Sequence, residues 1–88
     1  MKTVNKGNIT KKIINILERN DPVPGDTISD KLAYRYLDAG HIDSLSIINF
    51  IIELEEIFNI TLSPEDTQSD DFRFIGGLAT MIDNKINE

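Results

Sequence analysis

The sequence contains no cysteine, no tryptophan and one histidine, His41. Without cysteine there is no disulfide framework and no thiolate metal site, which suits a reducing cytoplasm. A lone histidine builds no metal cluster by itself. Long apolar runs are missing too. Phe50-Ile51-Ile52 is as long as an uninterrupted run gets, against the roughly 20 residues a membrane span needs. The opening MKTVNKGNITKKII has lysines but no apolar run behind them, so it makes a poor secretory signal. These absences predict a soluble, cytoplasmic chain. Its 88 residues predict one domain over 1–88, with a modest core that needs no staples.

Positive charge is also scarce where it would matter. No lysine or arginine stands between Arg35 and Arg73, an interval holding Asp38, Asp43, Glu53, Glu55, Glu56, Glu65, Asp66, Asp70 and Asp71. The net charge is −6. Such a field repels nucleic acid and attracts basic patches on proteins.

What is present is helical patterning. Ile9, Ile13 and Leu17, flanked by Ile14 and Ile16, predict an amphipathic helix over 9–19. Asn8 or Thr10 is suited to cap its start, and Asn20-Asp21-Pro22 to end it. Residues 20–42 then form a long connection. Ile28, Leu32, Tyr34, Tyr36 and Leu37 pin it to a core, with one short helical turn near Ser29 to Ala33. A second helix is predicted from Asp43 or Ser44 to about Asn59, with Leu45, Ile48, Ile51, Leu54 and Phe58 as its core stripe. Ile47, Phe50, Ile52 and Ile57 fall outside that stripe, and Ser46, Asn49, Glu53 and Glu56 form a narrow wet strip. Thr61 to Asp66 reads as a loop, with Pro64 fit for a turn or a first helical position. Ser69 to Phe72 predicts a short helical turn, and Ile75 to Ile86 a closing helix that opens on the costly pair Gly76-Gly77. The sum is an all-α chain. Three longer helices and one short one are expected to form a small antiparallel four-helix bundle with a long first loop.

Catalytic patterns are thin. Ser44 lacks a G-x-S-x-G elbow, and the chain has no P-loop glycine pattern, no EF-hand spacing and no second histidine. The acids from 65 to 71 read as a solvated loop. No catalytic residue and no metal ligand is assigned.

One ordered set stands out: Gly40, an apolar residue at 42, Asp43-Ser44-Leu45, a mostly apolar helix, then Glu53-Leu54-Glu55-Glu56-Ile57-Phe58. This set resembles the acyl carrier protein family, and the order of helices and loops extends the resemblance over roughly residues 8 to 87. The resemblance implies a non-enzymatic carrier in which Ser44 takes 4'-phosphopantetheine from coenzyme A and holds an acyl or aminoacyl group as a thioester. It implies a monomer whose partners are a phosphopantetheinyl transferase, a loading ligase and acyl-processing enzymes. Asp43, Leu45, Ile47, Ile52, Glu53 and Glu56 become the expected partner contacts, and Ile75 the residue beside the arm. Asp43 also fits a plain helix cap, and the two roles are compatible. Ile47 and Ile52 are either covered by the long loop or offered to a partner. The apolar residue before Asp43 looks like D-alanyl and peptidyl carriers, so an aminoacyl cargo is one alternative. A protein-interaction module in which Ser44 only caps a helix is the alternative of another class.

Overall fold

The computed structural model describes residues 6–19 and 21–87. Among them the regular elements are all helical. They are α1 (Lys6–Leu17), α2 (Ile28–Leu32), α3 (Ile47–Phe58), α4 (Pro64–Gln68), a 3₁₀ turn (Asp70–Arg73) and α5 (Ile75–Ile86). The three longer helices lie where the periodicity places them, and the short turns near 29–33 and 69–72 are present. Of the predicted stop after α1, Asn20 lies outside the described residues.

Two local expectations fail for opposite reasons: one pair of possible caps is not used as caps, and one unforeseen cap is. Asn8 and Thr10 sit inside α1 rather than before it. Thr10 is buried and its hydroxyl donates to the Lys6 carbonyl at 2.8 Å, so a would-be cap becomes a back-bonded core residue. Residues 64–68 are helix rather than loop. Ser63 accepts from the Asp66 amide at 3.1 Å while Asp66 accepts from the Ser63 amide at 2.9 Å, and Pro64 occupies the first turn. This capping box satisfies two donors at once. Lys85 of α5 pairs with Asp66 at 2.7 Å, and that partner, with the Ser63 bonds, holds the Asp66 carboxyl below the usual carboxylate range.

The core is one cluster. Ile9, Ile13 and Leu17 of α1, Phe50 and Leu54 of α3, and Ile75, Leu78 and Ile82 of α5 meet in it. At its centre three rings touch. Tyr36 lies edge-on to Phe50 at 5.6 Å between centroids and to Phe72 at 6.3 Å. Tyr36 is fully buried, and its hydroxyl donates to the Phe72 carbonyl. Burial pushes that hydroxyl's pKa well up. The long connection is thus fastened to the core, as its scattered apolar residues predict. Ile28 is the exception, because it is exposed.

The register of α3 differs from the expected stripe. Phe50, Leu54 and Phe58 are buried, and Ile47 and Ile51 are half-buried against the core. Leu45 and Ile48 are exposed. The reason is geometric. An α-helix turns about 100° per residue, so each step of three falls about 60° short of a full turn. The run 45-48-51-54 therefore sweeps about half-way round the helix, and only its later members reach the core.

Gly76 and Gly77 are explained by packing. A Cβ on Gly77 would overlap the Asp71 carbonyl and lie 2.7 Å from the Asp71 Cα, so the first turn of α5 sits directly on the 3₁₀ turn. On Gly76 it would lie 3.1 Å from the Leu32 carbonyl. Gly77→Ala is therefore expected to destabilise the chain by about 1–3 kcal/mol, as overpacking does. Gly76→Ala is expected to cost less, because the gain in helix propensity, about 1 kcal/mol, offsets a milder crowding. Chemical denaturation of both variants checks the order, and equal midpoints would disprove the packing account.

Candidate functional site

The chain reaches Ser44 through a fastened turn. One helical turn after Arg35 closes with Ala39 N–H on the Arg35 carbonyl at 2.9 Å, Gly40 N–H on Leu37 at 3.1 Å and His41 N–H on Tyr36 at 3.0 Å. That is a Schellman closure with Gly40 in the left-handed position, φ 74°. Glycine is needed here for its backbone, and a Cβ at this point would meet nothing within 4 Å. On one side the turn is held by ions: Arg35 pairs with Asp38 at 2.6 Å and Asp70 at 2.7 Å, and Asp38 also pairs with Arg73. On the other side His41 reaches α1, its Nε2 lying 2.8 Å from the Leu17 carbonyl. A carbonyl only accepts, so Nε2 carries the hydrogen, and in the neutral ring Nδ1 accepts from the Tyr34 hydroxyl at 2.9 Å. The single histidine thereby satisfies an orphan carbonyl at the C-terminus of α1.

Asp43 then starts the helix. Its Oδ1 accepts from the amides of Ser46 at 2.8 Å and Leu45 at 3.1 Å, and its carbonyl accepts from Ile47 N–H at 3.1 Å. Residues 44–46 form a turn leading into α3 at Ile47, so the regular helix begins later than the sequence suggests. The amide of Ser46, then its hydroxyl, then the amide of Leu45 hold the Asp43 carboxyl below the usual range. Asp43, not Ser44, is the cap. Ser44 is exposed, and its hydroxyl makes no hydrogen bond to a described residue.

Around this start α3 shows three faces. The first is the core face described above. The second is the stripe Leu45, Ile48 and Ile52, exposed at 85, 59 and 45%. The third holds Ser46, Asn49 and Glu53, the predicted wet strip. With Leu17, Arg19, His41 and Ile42 it lines a groove of about 240 Å³ between α1 and α3. Glu53 pairs across that groove with Arg19 at 2.6 Å. Glu55 turns away and accepts from the Leu62 amide at 2.8 Å, while Glu56 is exposed.

The structure therefore brings Asp43, Ser44, Leu45 and Ile52 to one accessible surface, with Glu56 near its edge. Two of the expected site residues lie deeper. Ile47 is half-buried against the core, and Ile75 is fully buried, with its amide on the Tyr34 carbonyl at 3.2 Å. Ile48, outside the expected set, is exposed on that surface. The signal that finds it is the step from Leu45 by three and then by four to Ile52.

No family model, no curated protein and no solved structure matches this chain.

Among the described residues no cluster of histidine, aspartate and glutamate is able to hold a metal ion. No described helix is long and apolar enough to cross a membrane.

The depressed Asp43 pKa fixes a sign. Its capping contribution is complete above the ordinary aspartate value and is lost as pH falls through the lower folded value. On acid titration the Ser46 and Leu45 amide resonances are expected to move with a midpoint below that of an ordinary aspartate. Asp43→Ala should abolish the transition and speed hydrogen exchange at both amides. A midpoint at the ordinary value would show that Asp43 does not cap the turn.

Proposed function

We propose that the chain is an acyl carrier protein, with 4'-phosphopantetheine joined to Ser44. The observation that carries the proposal is an exposed serine hydroxyl, unbonded among the described residues, at the head of a helix whose adjacent face is exposed and apolar. When bound, the group supplies a terminal thiol that holds cargo as a thioester. The chain's own residues present and orient. Ser44 offers its oxygen for the phosphodiester, and the open space beside Gly40 leaves room for a transferase to approach. The Leu45 and Ser46 amides are occupied by Asp43, so they are not free donors for a phosphate. Asp43 instead fixes the turn on which the serine stands.

Leu45, Ile48 and Ile52 form the partner-docking face, with Asp43 and Glu56 at its margin. Covering such a stripe removes large aliphatic side chains from water, about 25 cal/mol per Å². The absence of cations between Arg35 and Arg73 leaves the surrounding field negative, which favours partners with a basic rim. Glu53 contributes less, because it is already paired with Arg19. An antiparallel four-helix arrangement, a monomeric state and a cytoplasmic location belong to the same proposal. An aminoacyl cargo, suggested by Ile42 before Asp43, remains the variant that a partner ligase would decide.

Two measurements test this. Incubated with coenzyme A and a broad-specificity phosphopantetheinyl transferase, the chain should gain the mass of one phosphopantetheinyl group, and Ser44→Ala should gain none. An unchanged mass, or a gain that survives Ser44→Ala, would overturn the proposal and favour a plain interaction module. In the same assay Ile48→Asp should lower kcat/KM by about tenfold, the scale of a lost anchor contact. Glu56→Lys should lower it less. The reverse order would place docking in charge rather than in apolar contact.

A further inference from the structure

The groove between α1 and α3 has a composition that selects a ligand class. Its floor is apolar, with Leu17 and Phe50 buried and Ile42 half-buried. Its walls are polar. The Asn49 amide makes no hydrogen bond to a described residue and offers both donors and an acceptor. Glu53 and Arg19 bring one negative and one positive charge, already joined at 2.6 Å. His41 stands at the edge with both ring nitrogens engaged.

Three ligand classes fare differently here. A bare alkyl chain would cover Asn49 and the Arg19–Glu53 pair without returning a hydrogen bond, which costs free energy. A small ion would meet a pair whose charges cancel. An extended chain with amides separated by short apolar stretches satisfies both floor and walls.

Position supplies the second observation. Ile42 and Ser46, two residues before and after Ser44, both line the groove. Anything joined to Ser44 therefore starts at its mouth. A short flexible tether holds its free end at roughly millimolar effective concentration, so little intrinsic affinity is needed. Around α3 the strip Ser46-Asn49-Glu53 is the stripe Leu45-Ile48-Ile52 shifted by one residue, about 100°. Docking face and groove are thus separate surfaces that begin at the same serine.

Resting on the carrier reading, we infer that this groove is a resting site for the amide-bearing stem of the arm on Ser44. The stem lies between α1 and α3, with Asn49 and the Arg19–Glu53 pair as its hydrogen-bonding partners. The docking face stays clear while the arm is parked, so a partner enzyme meets Leu45, Ile48 and Ile52 before it draws the arm out.

The test compares full-length apo and arm-bearing chains by nitrogen–proton correlation NMR, with intact mass recorded on the same samples. The expected result is a mass gain with shift changes at Leu17, Arg19, His41, Glu53 and the Asn49 side-chain amide. Asn49→Leu, at an exposed site, should accept the arm but reduce the parked-to-free ratio about fivefold, one net hydrogen bond. A mass gain with changes confined to residues 42–46, or extending along Leu45, Ile48 and Ile52 instead, overturns the resting site alone. No mass gain overturns the carrier reading and the resting site with it.

Discussion

The burial of Tyr36 is the constraint on which the rest of this structure depends. A tyrosine sealed from water must give its hydroxyl to an acceptor, and the Phe72 carbonyl is that acceptor. Its ring meets Phe50 of α3 and Phe72 of the 3₁₀ turn. Three segments distant in sequence are thereby locked at one point: the long connection, α3 and the approach to α5. Around that point lie weaker fasteners. Arg35, Asp38, Asp70 and Arg73 join the same two segments at the surface, where ion pairs contribute little singly. The Ile75 amide on the Tyr34 carbonyl adds a further tie.

This anchoring explains how a connection of more than twenty residues delivers a serine to a defined place. From Tyr36 the chain makes one closed turn, passes Gly40 in its left-handed conformation and is fastened to α1 by His41. Asp43 follows at once and starts the next helix. The side chains between Tyr36 and Ser44 that carry polar groups are each spent on holding the backbone. Ser44 is the one left facing water, which is why its hydroxyl is accessible on a rigid mount.

Helix α3 carries the functional argument because it has three faces rather than two. Apolar residues outnumber those the core takes in. Phe50, Leu54 and Phe58 go inward, and Leu45, Ile48 and Ile52 stay out. Exposed aliphatic side chains in a row are unusual unless something covers them part of the time. The polar strip Ser46-Asn49-Glu53 faces a groove instead of open solvent. A single helix start thus presents an exposed serine, an apolar stripe and a groove without these competing for the same side chains.

The helices were legible because burial along α1 and α5 obeys a period: Ile9, Ile13 and Leu17 lie four apart, as do Leu78, Ile82 and Ile86. The short turn near Ser69 to Phe72 and the position of Ser44 at a helix start were equally legible, since local chemistry decides both. The face of α3 was not. Its sequence is apolar on several sides, so no period singles out one stripe, and only the placement of Phe72 and Tyr36 decides that Phe50 faces inward while Ile48 does not. The function of the glycines was hidden too, because a Cβ clash with Asp71 depends on a packing distance. By itself the sequence determined where the three longer helices form, where the negative field lies and which serine heads a helix, all consequences of neighbours along the chain. The tertiary structure alone decided which isoleucines stay in water and that the wet strip of α3 walls a groove. Those outcomes rest on contacts between segments that no local spacing encodes.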